Sequence, residues 1–117
     1  RKPVDTGTEA KALVDGDSNI MLHIEILEGK DVMATKDYVA EYGVATATTL
    51  RLARPYAGTH RVIIGDSWFA SVQTLDALWK RFQLFHIGIV KTGHKRYPKT
   101  YFKHWWKAGC PSAPNLR

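Results

Sequence analysis

The chain has 117 residues, which is enough for one domain with a modest hydrophobic core. Hydrophobic residues make up 44% of it, which argues against a disordered chain, and no run of 18 apolar residues occurs, so we expect no membrane-spanning segment. The lone Cys110 excludes an intrachain disulfide and favours a reducing compartment. The chain begins with Arg1 and shows no signal-peptide pattern, so we expect an excised domain or a fragment.

Charge is divided unevenly along the chain, whose net charge is +6. All 11 acidic residues precede residue 80, whereas residues 80–117 carry nine of the 17 Lys and Arg residues, interleaved with aromatic residues. Cations attract phosphates and aromatic rings stack on bases, so this pattern is typical of a nucleic-acid surface. A solvated, poorly ordered tail is the other interpretation, and composition alone leaves both open.

The N-terminal part predicts a β-hairpin. An apolar run predicts a strand at residues 10–15, and the next five residues, Asp15-Gly16-Asp17-Ser18-Asn19, are typical of a turn, which is also the interpretation of Asp17. Residues 20–26 then alternate, with the isoleucines on one face and His23 and Glu25 on the other. This alternation predicts a half-buried second strand with its apolar face inward.

The middle of the chain predicts a possible short strand at residues 32–34, a helix at 43–54 and a strand at 61–65. The continuous run Val62-Ile63-Ile64 is typical of a central strand that is covered on both faces. Trp68 and Phe69, which follow that strand, are interpreted as core residues.

The C-terminal part predicts one more helix and one more strand. Ser71 is a typical N-cap for a helix over residues 72–82, with a buried stripe of five residues: Val72, Leu75, Leu78, Trp79 and Phe82. Residues 84–90 predict the last strand, and no periodicity follows Val90.

Two aspartates, Asp15 and Asp66, each follow a predicted strand. If the helix at 43–54 forms a right-handed crossover, the strand at 61–65 lies parallel beside the first strand, and both carboxylates meet at one end of the sheet. Close carboxylates repel unless a cation lies between them, which indicates a Mg²⁺ or Mn²⁺ site, although most strand-ending aspartates only form turns. The element order predicts an α/β fold, a ribonuclease H-like mixed sheet with flanking helices, incomplete at its C-terminus.

Several motifs resemble those of piggyBac-like transposases. The segment Gly65-Asp66-Ser67-Trp68-Phe69-Ala70-Ser71 resembles the motif around the second catalytic aspartate of that family. Gly88-Ile89-Val90-Lys91 resembles the strand end that follows, and the segment from His94 to Lys99 resembles its basic loop. Upstream, Asp15 matches the first catalytic aspartate, and Gly29 matches the glycine that ends the second strand.

The resemblance implies a nuclear cut-and-paste DNA transposase in which three aspartates bind two divalent metals, Mg²⁺ or Mn²⁺. It implies that Asp15 and Asp66 are catalytic metal ligands and that residues 1–100 form a partial catalytic core. It also implies double-stranded DNA at transposon ends as the partner, and it allows a homodimer of the full-length protein. The third aspartate has no match, because Asp76, the one later acid, falls on the predicted helix.

Four cations that follow the last strand, Lys91, Lys95, Arg96 and Lys99, are expected to hold DNA phosphates. Residues 101–117 are expected to form a poorly ordered basic aromatic tail. Two hypotheses remain open: the partial core of an active transposase, with this chain alone inactive, or a relic domain that has lost catalysis and at most binds DNA.

Overall fold

The computed structural model describes residues 7–107, apart from the side chain of Trp106. The elements in chain order are β1 (Glu9–Val14), β2 (Met21–Leu27), α1 (Lys30–Thr35), α2 (Val39–Tyr42), α3 (Val44–Ala53), a short 3₁₀ helix (Arg54–Tyr56), β3 (Val62–Gly65), α4 (Val72–Phe82), β4 (Phe85–Gly88) and α5 (Lys99–Lys107). The chain is therefore α/β, as the sequence predicts. None of the helices among residues 7–107 has the length and hydrophobicity of a membrane-spanning segment.

The predicted β-hairpin is confirmed. Strands β1 and β2 pair antiparallel, with Ala12 opposite Ile24. The turn is closed by the amide of Asn19, which donates to the carbonyl oxygen of Asp15 at 2.9 Å, and Asn19 itself adopts a positive φ of 59°. Asparagine tolerates this left-handed backbone better than most residues, which explains the turn at this position.

The buried face of the hairpin is opposite to the predicted one. Ile24 is 59% exposed, whereas His23 and Glu25 are half-buried. Arg51 of α3 donates from Nε to a Glu25 carboxylate oxygen at 3.0 Å, and the Tyr56 hydroxyl lies 3.4 Å from His23 Nε2. These polar contacts with α3 and the 3₁₀ helix turn the polar face inward, so the isoleucine face points outward.

The strand predicted at residues 32–34 is wrong, because these residues lie within helix α1. The Met33 amide donates to the Gly29 carbonyl oxygen at 3.0 Å, and the Met33 side chain is buried. A strand of three residues would need a pairing partner for its backbone, whereas a helical turn satisfies its hydrogen bonds locally.

Helix α3 confirms the helix predicted at residues 43–54 despite its three threonines. The hydroxyls of Thr48 and Thr49 donate to the carbonyl oxygens of Val44 and Ala45, at 2.8 and 3.0 Å. These bonds to the preceding turn satisfy hydroxyl groups that would otherwise be buried without partners.

Helix α4 begins where the sequence predicts. Ser71 is its N-cap, and the Ser71 hydroxyl oxygen accepts a hydrogen bond from the Thr74 amide at 3.0 Å. The core lies between α3 and α4 and contains six buried residues: Leu50, Ala53, Ala77, Leu78, Phe82 and Leu84. Two members of the predicted buried stripe, Leu75 and Trp79, are instead half-exposed.

The predicted pairing of β1 with β3 is wrong. The four strands form two separate sheets, with β1 paired to β2 and β3 paired in parallel to β4 through the α4 crossover. The parallel register places Gly65 opposite Gly88, where a Cβ on Gly88 would lie only 2.5 Å from the Ala70 Cβ. Glycine is therefore required for the close approach of this strand end to Ala70.

Strand β3 is not covered on both faces as predicted. Ile63 is half-buried, whereas Ile64 is 78% exposed and its cross-strand partner Ile87 is 60% exposed. One face of this sheet therefore packs on the core, and the other is open within residues 7–107.

Helix α5 lies beyond Val90, where the sequence shows no periodicity. Residues 99–107 are helical, and the Phe102 amide donates to the Pro98 carbonyl oxygen at 3.1 Å in the first turn. Proline favours helix starts because its fixed φ suits them. Residues 101–107 of the predicted poorly ordered tail lie within this helix, and residues 108–117 lie outside the described residues.

Candidate functional site

Asp15 lies directly after β1 and organises the hairpin turn. Its carboxylate oxygen Oδ2 accepts hydrogen bonds from the Ser18 hydroxyl at 2.6 Å and from the Ser18 amide at 2.9 Å. These bonds, first the one from the side chain and then the one from the backbone, lower the pKa of Asp15, and the positive charge of Arg61 adds to the effect. The carboxylate is therefore ionised near neutral pH and already serves as a turn acceptor.

Asp66 lies directly after β3 and organises a second turn. Its Oδ1 accepts a hydrogen bond from the Trp68 amide at 2.9 Å, and its carbonyl oxygen accepts one from the Ala70 amide at 2.9 Å. The side chain is exposed. Both aspartates thus follow strands, as the sequence predicts, and both have the local role of a turn residue.

The structure does not bring the two aspartates together. The Lys11 ammonium, near the start of β1, lies 4.0 Å from the ring centroid of Trp68, which follows β3. Asp15, at the end of β1, lies by Arg61, which precedes β3. Strand β1 therefore runs opposite to β3, and about five residues of extended chain, roughly 15 Å at about 3.3 Å per residue, separate Arg61 from Asp66.

A cavity of about 300 Å³ lies between β1 and β3, where the sequence predicts strand pairing. Its walls include Leu13 and Asp15 on one side and His60, Arg61 and Val62 on the other. The gap shows that the two strands face one another without a hydrogen-bond ladder.

The residues present do not fit a two-metal site in this arrangement. Within residues 7–107, no group of three or more His, Cys, Asp or Glu side chains is placed to hold a metal ion. The ligands of one Mg²⁺ lie about 2.0–2.1 Å from the ion, whereas this arrangement places Asp15 by the start of β3 and Asp66 after its end.

The four predicted DNA contacts lie together on the surface after β4. Lys91, Lys95, Arg96 and Lys99 are all exposed. Backbone hydrogen bonds order this loop, including one from the His94 amide to the Lys91 carbonyl oxygen at 3.1 Å. The loop leads directly into α5, which carries further cations, including Lys103 and Lys107.

Asp76 on α4 lies against this surface. Its Oδ2 lies 3.1 Å from the Lys80 ammonium and 3.6 Å from an Arg96 guanidinium nitrogen. The hydrogen bond from Lys80 is the main cause that lowers the pKa of Asp76, and Arg96 adds to it. One acid between two cations leaves the local charge positive, and it fixes Arg96 near α4.

Two features of the structure have no counterpart in the sequence predictions. His86 has Nδ1 2.9 Å from the Ile63 carbonyl oxygen, and burial lowers its pKa. Trp79 and Phe85 form an exposed ring pair, with centroids 5.2 Å apart. The helical period of α4 predicted that Trp79 lies in the core. Its ring instead lies at the edge of the core beside Phe85 of β4, and the sequence of α4 alone does not show this.

Trp68 and Phe69, which the sequence places in the core, are half-buried. Their ring centroids lie 4.7 Å apart in an edge-to-face arrangement, a favourable geometry for aromatic pairs. Lys11 covers the Trp68 ring. The two rings therefore connect the start of β1 to the turn after β3.

Residues 1–111 match the family described as Transposase IS4. The chain belongs to this transposase family. No match was found among curated proteins or among solved structures. The match covers nearly the whole chain, including both aspartates and the basic loop of the transposase domain.

Proposed function

We propose that this transposase domain is the piggyBac-like part of a ribonuclease H-like core that binds DNA through its basic C-terminal surface. The observation that carries the proposal is the charge distribution: residues 80–117 contain nine Lys or Arg residues and no acid. Lys91, Lys95 and Arg96 lie exposed on one ordered loop, and Lys99 is exposed at the start of α5. Such a surface attracts duplex DNA by releasing its condensed counterions.

The order of the helices and strands supports the ribonuclease H-like assignment, and a sequence motif supports the piggyBac-like assignment. The hairpin is followed by three short helices and a 3₁₀ helix, and then by a strand, a crossover helix and a parallel strand, so the predicted order holds from α3 onward. The segment from Gly65 to Ser71 carries the piggyBac-like motif. We place the domain in the nucleus, where its proposed double-stranded DNA partner is found.

We propose that Asp15 and Asp66 act as metal ligands only in the complete transposase, with Mg²⁺ or Mn²⁺ and a third acid. Here the two carboxylates lie at opposite ends of β3 and each closes a turn. The chain alone therefore binds divalent metal weakly and does not cut DNA. The second candidate is a relic domain that has lost catalysis. The separation of the two aspartates supports this candidate as strongly as it supports the incomplete core of an active transposase.

Incubation of the purified chain with supercoiled plasmid tests the inactivity. We expect no nicking in Mg²⁺ or Mn²⁺ beyond that in chelator, because the two carboxylates do not assemble a metal site. The Asp66→Asn variant serves as the matched control and should give the same background. Metal-dependent nicking by the chain that Asp66→Asn abolishes would refute the claim.

A further inference from the structure

We propose that the exposed ring pair of Trp79 and Phe85 is a stacking site for an unpaired nucleobase of single-stranded DNA. The inference rests on the proposed DNA binding and extends it from phosphates to bases. The site lies at the start of β4, at the opposite end of the β3–β4 sheet from Asp66.

The two rings have the geometry of a stacking platform. Their centroids lie 5.2 Å apart with an angle of 28° between the planes, and each residue is 47% exposed. The His60 ring lies 6.4 Å from both. Large aromatic side chains are ordinarily buried in the core, so three neighbouring exposed rings indicate a surface for a flat ligand.

A groove of about 360 Å³ adjoins the rings, between α4 and β4. Its walls are mainly apolar, and include Val72, Leu75 and Leu84 besides the two rings. This volume is at the lower end of the range of small-ligand sites, about 300–1,000 Å³. An apolar groove with an aromatic wall suits the flat face of a base.

The charge of the rim selects a nucleic acid as the occupant. Arg96 and Asp76 both line the groove, and Asp76 is held between Arg96 and Lys80. The two charges that line the groove balance, and the excess positive charge lies beside it, on Lys80 and on the loop that carries Arg96, Lys91 and Lys95. A strand whose phosphates follow this loop would bring a base to the rings.

The base must be unpaired. In a duplex, both faces of every base are stacked on neighbours, so only a single strand or an opened end can present a face to Trp79. Stacking on an aromatic side chain contributes about 1–3 kcal/mol per base, which corresponds to about 5- to 150-fold in affinity.

Two oligonucleotides of equal length test the site: fifteen-nucleotide oligothymidine and a fully abasic strand with the same phosphates. We expect the wild-type chain to bind the oligothymidine more tightly. Trp79→Leu keeps apolar bulk and should lower the affinity for oligothymidine at least about fivefold without changing that for the abasic strand. Trp79→Phe, which keeps a ring, should retain most of the affinity.

Phe85→Leu gives an independent test if Trp79→Leu does not fold, and circular dichroism establishes the fold of each variant. Equal loss on both strands, or no loss on either, would overturn the stacking site. Equal wild-type affinity for the two strands would also overturn it while leaving the basic surface intact. Binding to neither strand would overturn the stacking site, and a duplex of the same length then shows whether the proposed duplex binding fails as well.

Discussion

Replacing Lys91, Lys95, Arg96 and Lys99 together with alanine should flatten the salt dependence of duplex DNA binding by roughly three units. Each phosphate contact releases condensed counterions, so the logarithm of the affinity falls with the logarithm of salt concentration at a slope of about −0.9 per contact. All four side chains are exposed, and Arg96 is partly neutralised by Asp76. Three full contacts and one weakened contact therefore give about three units.

The measurement is duplex binding across a salt series for the wild-type chain and the quadruple variant. The fold should survive, because exposed ion pairs contribute at most about 1 kcal/mol. A matched control replaces Lys30 and Arg54, which lie in the acidic half of the chain, and should leave the slope unchanged. An unchanged slope in a folded quadruple variant would show that the loop is only a solvated surface.

Leu78→Ala should destabilise the domain by about 2–5 kcal/mol. Leu78 is fully buried between α3 and α4, where it belongs to the one cluster of buried residues found in the described chain. Truncation loses the transfer free energy of the removed carbons and leaves a cavity that close-packed neighbours fill only partly. A loss of this size is a large part of the about 5–15 kcal/mol that stabilises an ordinary domain.

Urea unfolding of Leu78→Ala beside Ile64→Ala provides the comparison. Ile64 is 78% exposed, so its truncation should change the free energy of unfolding by no more than about 0.5 kcal/mol. Equal losses for the two variants would mean that the open face of β3 is covered in solution and that the core between α3 and α4 is not dominant.

The elements that the sequence predicted correctly are those that depend on contacts between residues close in sequence. Ser71 and the helical period specify α4, and the turn residues from Asp15 to Asn19 specify the hairpin, because capping and turn bonds join residues close in sequence. Pro98, directly before the first residue of α5, is a signal for the start of a helix. The uneven spacing of the apolar residues that follow obscured this signal.

Long-range contacts decided the features that were missed. The alternation of apolar and polar residues identified the two faces of β2, but it did not show which face is buried. The ion pair between Arg51 and Glu25, which are 26 residues apart, determines the buried face. The direction of β1 relative to β3 depends on contacts such as Lys11 with Trp68, which no local pattern reveals. The sequence therefore predicted that Asp15 and Asp66 follow strands, but not that these strand ends lie apart.

The separation of Asp15 from Asp66 underlies the proposed inactivity, and disulfide trapping measures it directly. In a Cys110→Ser background, the pair Asp15→Cys and Asp66→Cys should form no bridge under oxidation, because a disulfide requires Cα atoms about 4.4–6.8 Å apart. The control pair Ala12→Cys and Ile24→Cys, cross-strand partners in the hairpin, should bridge readily. An intramolecular bridge between positions 15 and 66 would contradict the structure and would place both carboxylates in one metal site.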